Sequence, residues 1–156
     1  MKNYLIALVI TVMVVLGSFV YKFSSAPVFR NFPIQRLKAE GDTAQLYLIF
    51  CFSIRSCSPC LEIIETLNRM PQEYKVIGLI PGEELEVEEE LRRITSARFE
   101  LRSLDRFKRF QPNYAPTLFG VGKGGEIFFV LPGVPGENNY LDVFLDSFLH
   151  RANSLL

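Results

Sequence analysis

"AQLYLIFCFSIRSCSPCLEIIETLNRM", residues 44–70, carries a fold signal and a chemical one. Ala44 to Phe52 is a continuous apolar run, the pattern of a strand buried on both faces of a sheet. Beyond it Cys60, Leu61, Ile64, Leu67 and Met70 recur at helical spacing until Pro71 ends the pattern. "YKVIGLI", Tyr74 to Ile80, is a second buried strand. A strand, a helix and a strand in close succession form a βαβ unit, which predicts that these two strands run parallel. Cys57 and Cys60 stand between the first strand and its helix.

Three readings of Cys57 and Cys60 compete: a redox pair, half of a metal site, or two small apolar residues. The thiolate is the nucleophile in disulfide exchange, and a free thiol is mostly protonated at neutral pH. A helix start offers unpaired N–H groups and a partial positive charge, which favour the thiolate of Cys57. Cys60, one turn further in, is placed to attack a mixed disulfide formed at Cys57. Pro59 suits the first helical turn, where a missing N–H costs nothing, and the spacer Ser58 and Pro59 influences the potential. Arg55 is a further source of positive potential. The metal reading is poor in ligands. His occurs once, as His150, far along the chain. The third cysteine, Cys51, falls within a strand, where a free cysteine packs into the core. A four-ligand zinc site would need a second chain, so neither a metal site nor a bound cofactor is expected.

The chain has 156 residues and a formal net charge of zero, so no global field attracts nucleic acid. An odd cysteine count excludes a disulfide scaffold built from matched pairs. Tyr4 to Tyr21 carries no charge and has the length needed to cross a bilayer of ~30 Å. Its apolar core is long for a cleaved signal, and Pro27 follows the one candidate cleavage site. The expected organisation is a membrane anchor over 1–21, a stalk over 22–41 and a domain over 42–156. Lys22, Arg30, Arg36 and Lys38 follow the anchor and only Lys2 precedes it, a bias that by itself would hold the domain in the cytoplasm.

Residues 82–97, rich in glutamate, read as one helix with Val87, Leu91 and Ile94 on its buried face and the acids in solvent. "RFELRSL", Arg98 to Leu104, reads as a short extended piece and "DRFKRF" as a short helix. "PTLFGV" and "EIFFVL" flank "GKGG", a hairpin whose glycines supply positive φ. The last element is an amphipathic helix with Leu141, Phe144, Leu145, Phe148 and Leu149 as its apolar stripe. The predicted sheet has two parallel strands and an antiparallel pair, covered by helices. The basic set Arg92, Arg93, Arg98, Arg102, Arg106, Lys108 and Arg109 reads as a solvated face balancing the glutamates.

"CSPC" after an apolar strand, followed by "YAPTLFGVGKGGEIFFVLPG", resembles the thioredoxin superfamily, and most closely its membrane-anchored TlpA and ResA type. The resemblance covers most of residues 44–150. It implies a thioredoxin-like α/β fold, a central mixed sheet flanked by helices, with an insert at roughly Glu83 to Leu101. It implies Cys57 as nucleophile, Cys60 as resolving thiol, and a cis bond before Pro116. Ala115, Pro116 and Thr117 would then lie beside the sulfurs and pair with an extended substrate. Three positions depart from thioredoxin itself. Ser56 replaces its Trp, Cys51 replaces its buried acid, and the helix proline after the second cysteine is absent. The activity implied is thiol–disulfide exchange without a cofactor, on disulfide-containing client proteins such as apocytochromes c and copper-site proteins, with a membrane electron donor restoring the dithiol. The domain would face the extracytoplasmic side of a cytoplasmic membrane crossed once through residues 4–21. Two other readings remain open at this point, a thioredoxin-fold module that docks a partner without turnover and a metallochaperone.

Overall fold

The computed structural model describes Met13 and residues 31–57, 59–71, 73–110, 112, 114–134 and 139–153. The predicted anchor, apart from Met13, lies outside the described residues, as do the stalk up to residue 30 and the spacer Ser58.

Five strands form one sheet: β1 Leu46–Cys51, β2 Tyr74–Ile80, β3 Glu100–Ser103, β4 Thr117–Gly122 and β5 Ile127–Pro132. Among the described residues of 31–153 the α-helices that accompany them are α1 Cys60–Asn68, α2 Gly82–Leu85, α3 Glu88–Thr95 and α4 Tyr140–Asn153. The spatial order is β3-β2-β1-β4-β5. β1 pairs parallel with β2 from Leu46↔Tyr74 to Cys51↔Leu79, as the βαβ reading requires. β2 pairs parallel with β3, so three strands run parallel where two were expected. β3 is a four-residue edge strand whose Leu101 is buried and whose Arg102 is exposed; its polar half hides it from a search for buried runs. β4 runs antiparallel to both β1 and β5.

Every residue of β1 is buried, and strand alternation divides its side chains between two cores. Leu48, Phe50 and Phe52 join Cys60, Ile63, Ile64 and Leu67 of α1 and Leu141 and Leu145 of α4 on one face. Tyr47, Ile49 and Cys51 join Ile77, Leu79, Phe119 and Val121 on the other. Burying each such large side chain stabilises the fold by ~1.5–3 kcal/mol. The second face is covered from both directions along the chain. Leu104 and Phe107, from the 3₁₀ stretch Leu104–Phe110, lie on it, and so do Phe32, Ile34 and Leu37.

That last group corrects the stalk reading in part. Phe32, Ile34 and Leu37 are at most 2% exposed, and the Phe32 N–H donates to the Gly125 carbonyl oxygen at 2.7 Å. Residues 31–37 are therefore packed against the sheet. Short turns around Pro33 interrupt any period and conceal this from the sequence.

The helix predicted over 82–97 is two helices. Val87, at φ −112° and ψ 34°, separates α2 from α3. Leu91 is buried, while Val87 and Ile94, expected beside it, are about half exposed. In the hairpin turn only Gly125 takes positive φ, at +97°; Gly122 and Gly124 do not. On α4, Leu141, Leu145 and Leu149 are buried as expected, and Phe144 and Phe148 stack against Phe129 of β5 edge-on at 4.9 and 4.8 Å.

Candidate redox site

The chain leaves β1 at Cys51 and stays tied to the sheet for one more residue, the Phe52 N–H donating to the Leu79 carbonyl oxygen at 3.1 Å. It then makes a 3₁₀ turn over Ile54–Ser56 and reaches Cys57 in extended conformation. Pro59 stands immediately before α1, and its carbonyl oxygen accepts the Ile63 N–H at 3.3 Å. This satisfies part of the helix start with a residue that has no N–H to lose.

Cys57 and Cys60 are joined in a disulfide with Cα atoms 5.4 Å apart. Cys60, the first residue of α1, is 0% exposed and packs with Leu48, Phe50 and Ile63. Cys57 is only partly buried. Cys57 is therefore the more accessible residue of the pair, and Cys60 is held inside at the start of a helix, where backbone N–H groups stabilise negative charge.

The Ala115–Pro116 bond is cis. Thr117 opens β4 and is paired with Cys51 at the end of β1. Ala115, Pro116 and Thr117 thus lie at the sheet end from which the Cys57 turn emerges. Pro116 is buried and Ala115 exposed. The Pro116 carbonyl oxygen accepts the Gly133 and Val134 N–H groups at 2.8 and 3.3 Å, and the Thr117 hydroxyl donates to the Tyr114 carbonyl oxygen at 2.5 Å. This turn is fastened on both sides.

Cys51 is not part of the site. It is 1% exposed and belongs to the core on the far face of the sheet from Cys60. Burial pushes its thiol up to about 12. Arg55 pairs with Glu83 at 3.3 Å with both side chains exposed, so its charge is compensated there. In the basic set, Arg92 pairs with Glu88 at 2.7 Å and donates to the Ala97 and Phe99 carbonyl oxygens, both at 3.0 Å. Arg102 pairs with Glu100. His150 is exposed in the last turn of α4.

One residue escaped the sequence reading. Glu84, from the run taken as a solvated face, is 4% exposed. Its carboxylate accepts the Ser53 hydroxyl at 2.5 Å and the Ile54 N–H at 3.0 Å. In a row of glutamates nothing in the sequence singles out the one that turns inward.

No family model and no curated protein matches the chain. Solved structures do. The chain is similar to a cysteine-to-serine mutant of PrxQ from Xylella fastidiosa, at 15% identity over 70% of this chain and 79% of that one, TM-score 0.55. It is similar to a Chlorobium tepidum protein assigned as thiol:disulfide interchange protein DsbE, at 13% identity over 69% and 80%, TM-score 0.54. It is also similar to a Neisseria meningitidis protein assigned as a thioredoxin, at 20% identity over 71% and 77%, TM-score 0.53. The fold is that of thioredoxin: a central mixed sheet flanked by helices, with a Cys-x-x-Cys disulfide closing the start of α1 and a cis-proline before β4.

Proposed function

We propose that the protein is a thiol–disulfide oxidoreductase in which Cys57 is the nucleophile and Cys60 the resolving thiol. The observation that carries this reading is the asymmetry of the Cys57–Cys60 disulfide, one residue partly exposed and the other fully buried at a helix start. In the reducing direction the Cys57 thiolate attacks one sulfur of a client disulfide. A new S–S bond forms, the client bond breaks, and the departing sulfur leaves as a thiolate that takes up a proton. The Cys60 thiolate, having lost its proton to solvent, then attacks the Cys57 sulfur. The internal disulfide forms and the client leaves as a dithiol, having gained two electrons and two protons. Ala115, Pro116 and Thr117 are the backbone against which an extended client segment would lie. Ser58 and Pro59 tune the couple. The oxidised protein must be returned to the dithiol by a donor of reducing equivalents.

Direct support from the site is for exchange itself. For its setting, we place the protein in a cytoplasmic membrane through residues 4–21, with the domain on the extracytoplasmic side, disulfide-bonded proteins as clients and a membrane protein as electron donor. The uncharged length of Tyr4–Tyr21 supports this setting. Two experiments test the proposal. Insulin reduction with dithiothreitol should be catalysed by the wild type and fall to background in Cys57→Ser; equal rates would leave a docking module without turnover. Alkaline phosphatase fused after Leu156 should be active, and activity only of a cytoplasmic fluorescent fusion would reverse the orientation.

A further inference from the structure

Glu84 lies where the segment leading to Cys57 touches a carboxylate that is shielded from water. α2 follows β2 directly, and its second and third residues both reach across to the end of β1. Glu83 pairs with Arg55 at the surface, while Glu84, buried, takes the Ser53 hydroxyl and the Ile54 N–H. Ser53 precedes, and Ile54 opens, the 3₁₀ turn that delivers Cys57. A buried carboxylate is retained only if donors satisfy it, and these two donors both belong to the redox segment. Charge-assisted bonds of this kind are about twice as strong as neutral ones. α2 is capped by Pro81, the residue that follows β2, whose carbonyl oxygen accepts the Glu84 and Leu85 N–H groups at 3.0 and 3.2 Å.

We propose that Glu84 is a positioning residue: by binding Ser53 and Ile54 it fixes the segment that holds Cys57 over Cys60, and so sets how stable their disulfide is. This rests on the reading of Cys57 and Cys60 as an exchanging pair. The stability of an internal disulfide relative to that of glutathione is the effective concentration of its two thiols. A loosened segment lowers that concentration and makes the disulfide easier to reduce.

The test is a glutathione equilibrium on the full chain in non-ionic detergent, with folding followed by circular dichroism. Protein disulfide and two glutathione thiols give protein dithiol and one glutathione disulfide, so the constant reads the protein couple without any client. Failure of insulin reduction would therefore leave this measurement intact. Glu84→Ala is expected to lower the effective concentration at least about tenfold, equivalent to about 30 mV toward a more oxidising couple. Glu84→Gln is expected to stay within about threefold of wild type, because its amide can accept the Ile54 N–H and donate to the Ser53 oxygen. Ser53→Ala, which removes one bond and leaves the carboxylate's other partner, is expected to shift the constant at least about threefold in the same direction. If Glu84→Ala does not fold, Ser53→Ala decides. A wild-type constant in the alanine variants overturns the proposal, and so does a Glu84→Gln shift as large as that of Glu84→Ala, which would assign the effect to charge.

Discussion

Cys51 and Thr117 are paired across β1 and β4, and that single rung places the two halves of the candidate site. Immediately before Thr117 stands Pro116, whose bond to Ala115 is cis, and a few residues after Cys51 the chain turns into Cys57. Residues some sixty positions apart in the chain meet at one sheet end because an antiparallel register fixes both at once.

Cys60→Ser should trap the first half of exchange. With no resolving thiol behind it, Cys57 is expected to keep its client partner as a mixed disulfide. A non-reducing gel should show a heavier, reductant-sensitive band that Cys57→Ser lacks. The same trapped species in both variants would place the nucleophile elsewhere.

Cys51 should be inert to iodoacetamide at neutral pH in the folded protein, with the domain reduced, while Cys57 reacts. Its thiol is held up at about 12 by burial, from an ordinary 9.0. Tyr47 is likewise raised to about 12 from 10.0, by burial first and then by the Asp42 carboxylate. Both groups lose their protons more readily when unfolded. Their contribution to stability is complete below pH 9 and is lost as pH rises toward 12. Thermal melts should show stability falling through that window, less steeply in Cys51→Ala.

Asp42 and Lys75 pair at 2.6 Å, with the carboxylate side chain 8% exposed. Burial raises the Asp42 carboxyl, but the bonds from Lys75 and the Ala44 N–H outweigh it and hold the group below its ordinary 3.8. The stabilisation is present above pH 3.8 and disappears as pH falls through the lower folded value. Asp42→Asn should cost about 1–3 kcal/mol at pH 7. In urea titrations the gap from wild type should close in acid; a gap independent of pH would place the loss elsewhere.

Gly125→Ala should destabilise by about 1–3 kcal/mol. The residue sits at φ +97°, and an added Cβ would collide with the Phe32 carbonyl oxygen that faces it. A lowered urea midpoint with unchanged m-value is the expected signature. Gly41→Ala, also at positive φ but with open space around it, is the milder control.

The elements legible in the sequence were those whose signal is local and strong. β1 and β2 are unbroken apolar runs, and α1 repeats its apolar residues at the helical period between Cys60 and Met70. The Cys-x-x-Cys position at the start of α1 followed from those two. β3 as a third parallel strand was not legible, because an edge strand half in solvent alternates with charge. Nor was the burial of Phe32, Ile34 and Leu37, where no period survives the turns. The inward turn of Glu84 was not legible either, because the donors that hold its carboxylate, Ser53 and Ile54, lie some thirty residues upstream. That is tertiary structure acting on sequence, and no window of neighbours contains it.

Asn31 bridges to Glu126, beside the turn where Gly122 faces Leu46, the first residue of β1. The chain therefore enters the sheet at the opposite pole from the disulfide, the length of β1 away, ~20 Å at strand rise. Whatever restrains the upstream residues grips the molecule by its foot. The disulfide stands at the other end, past the close of β1.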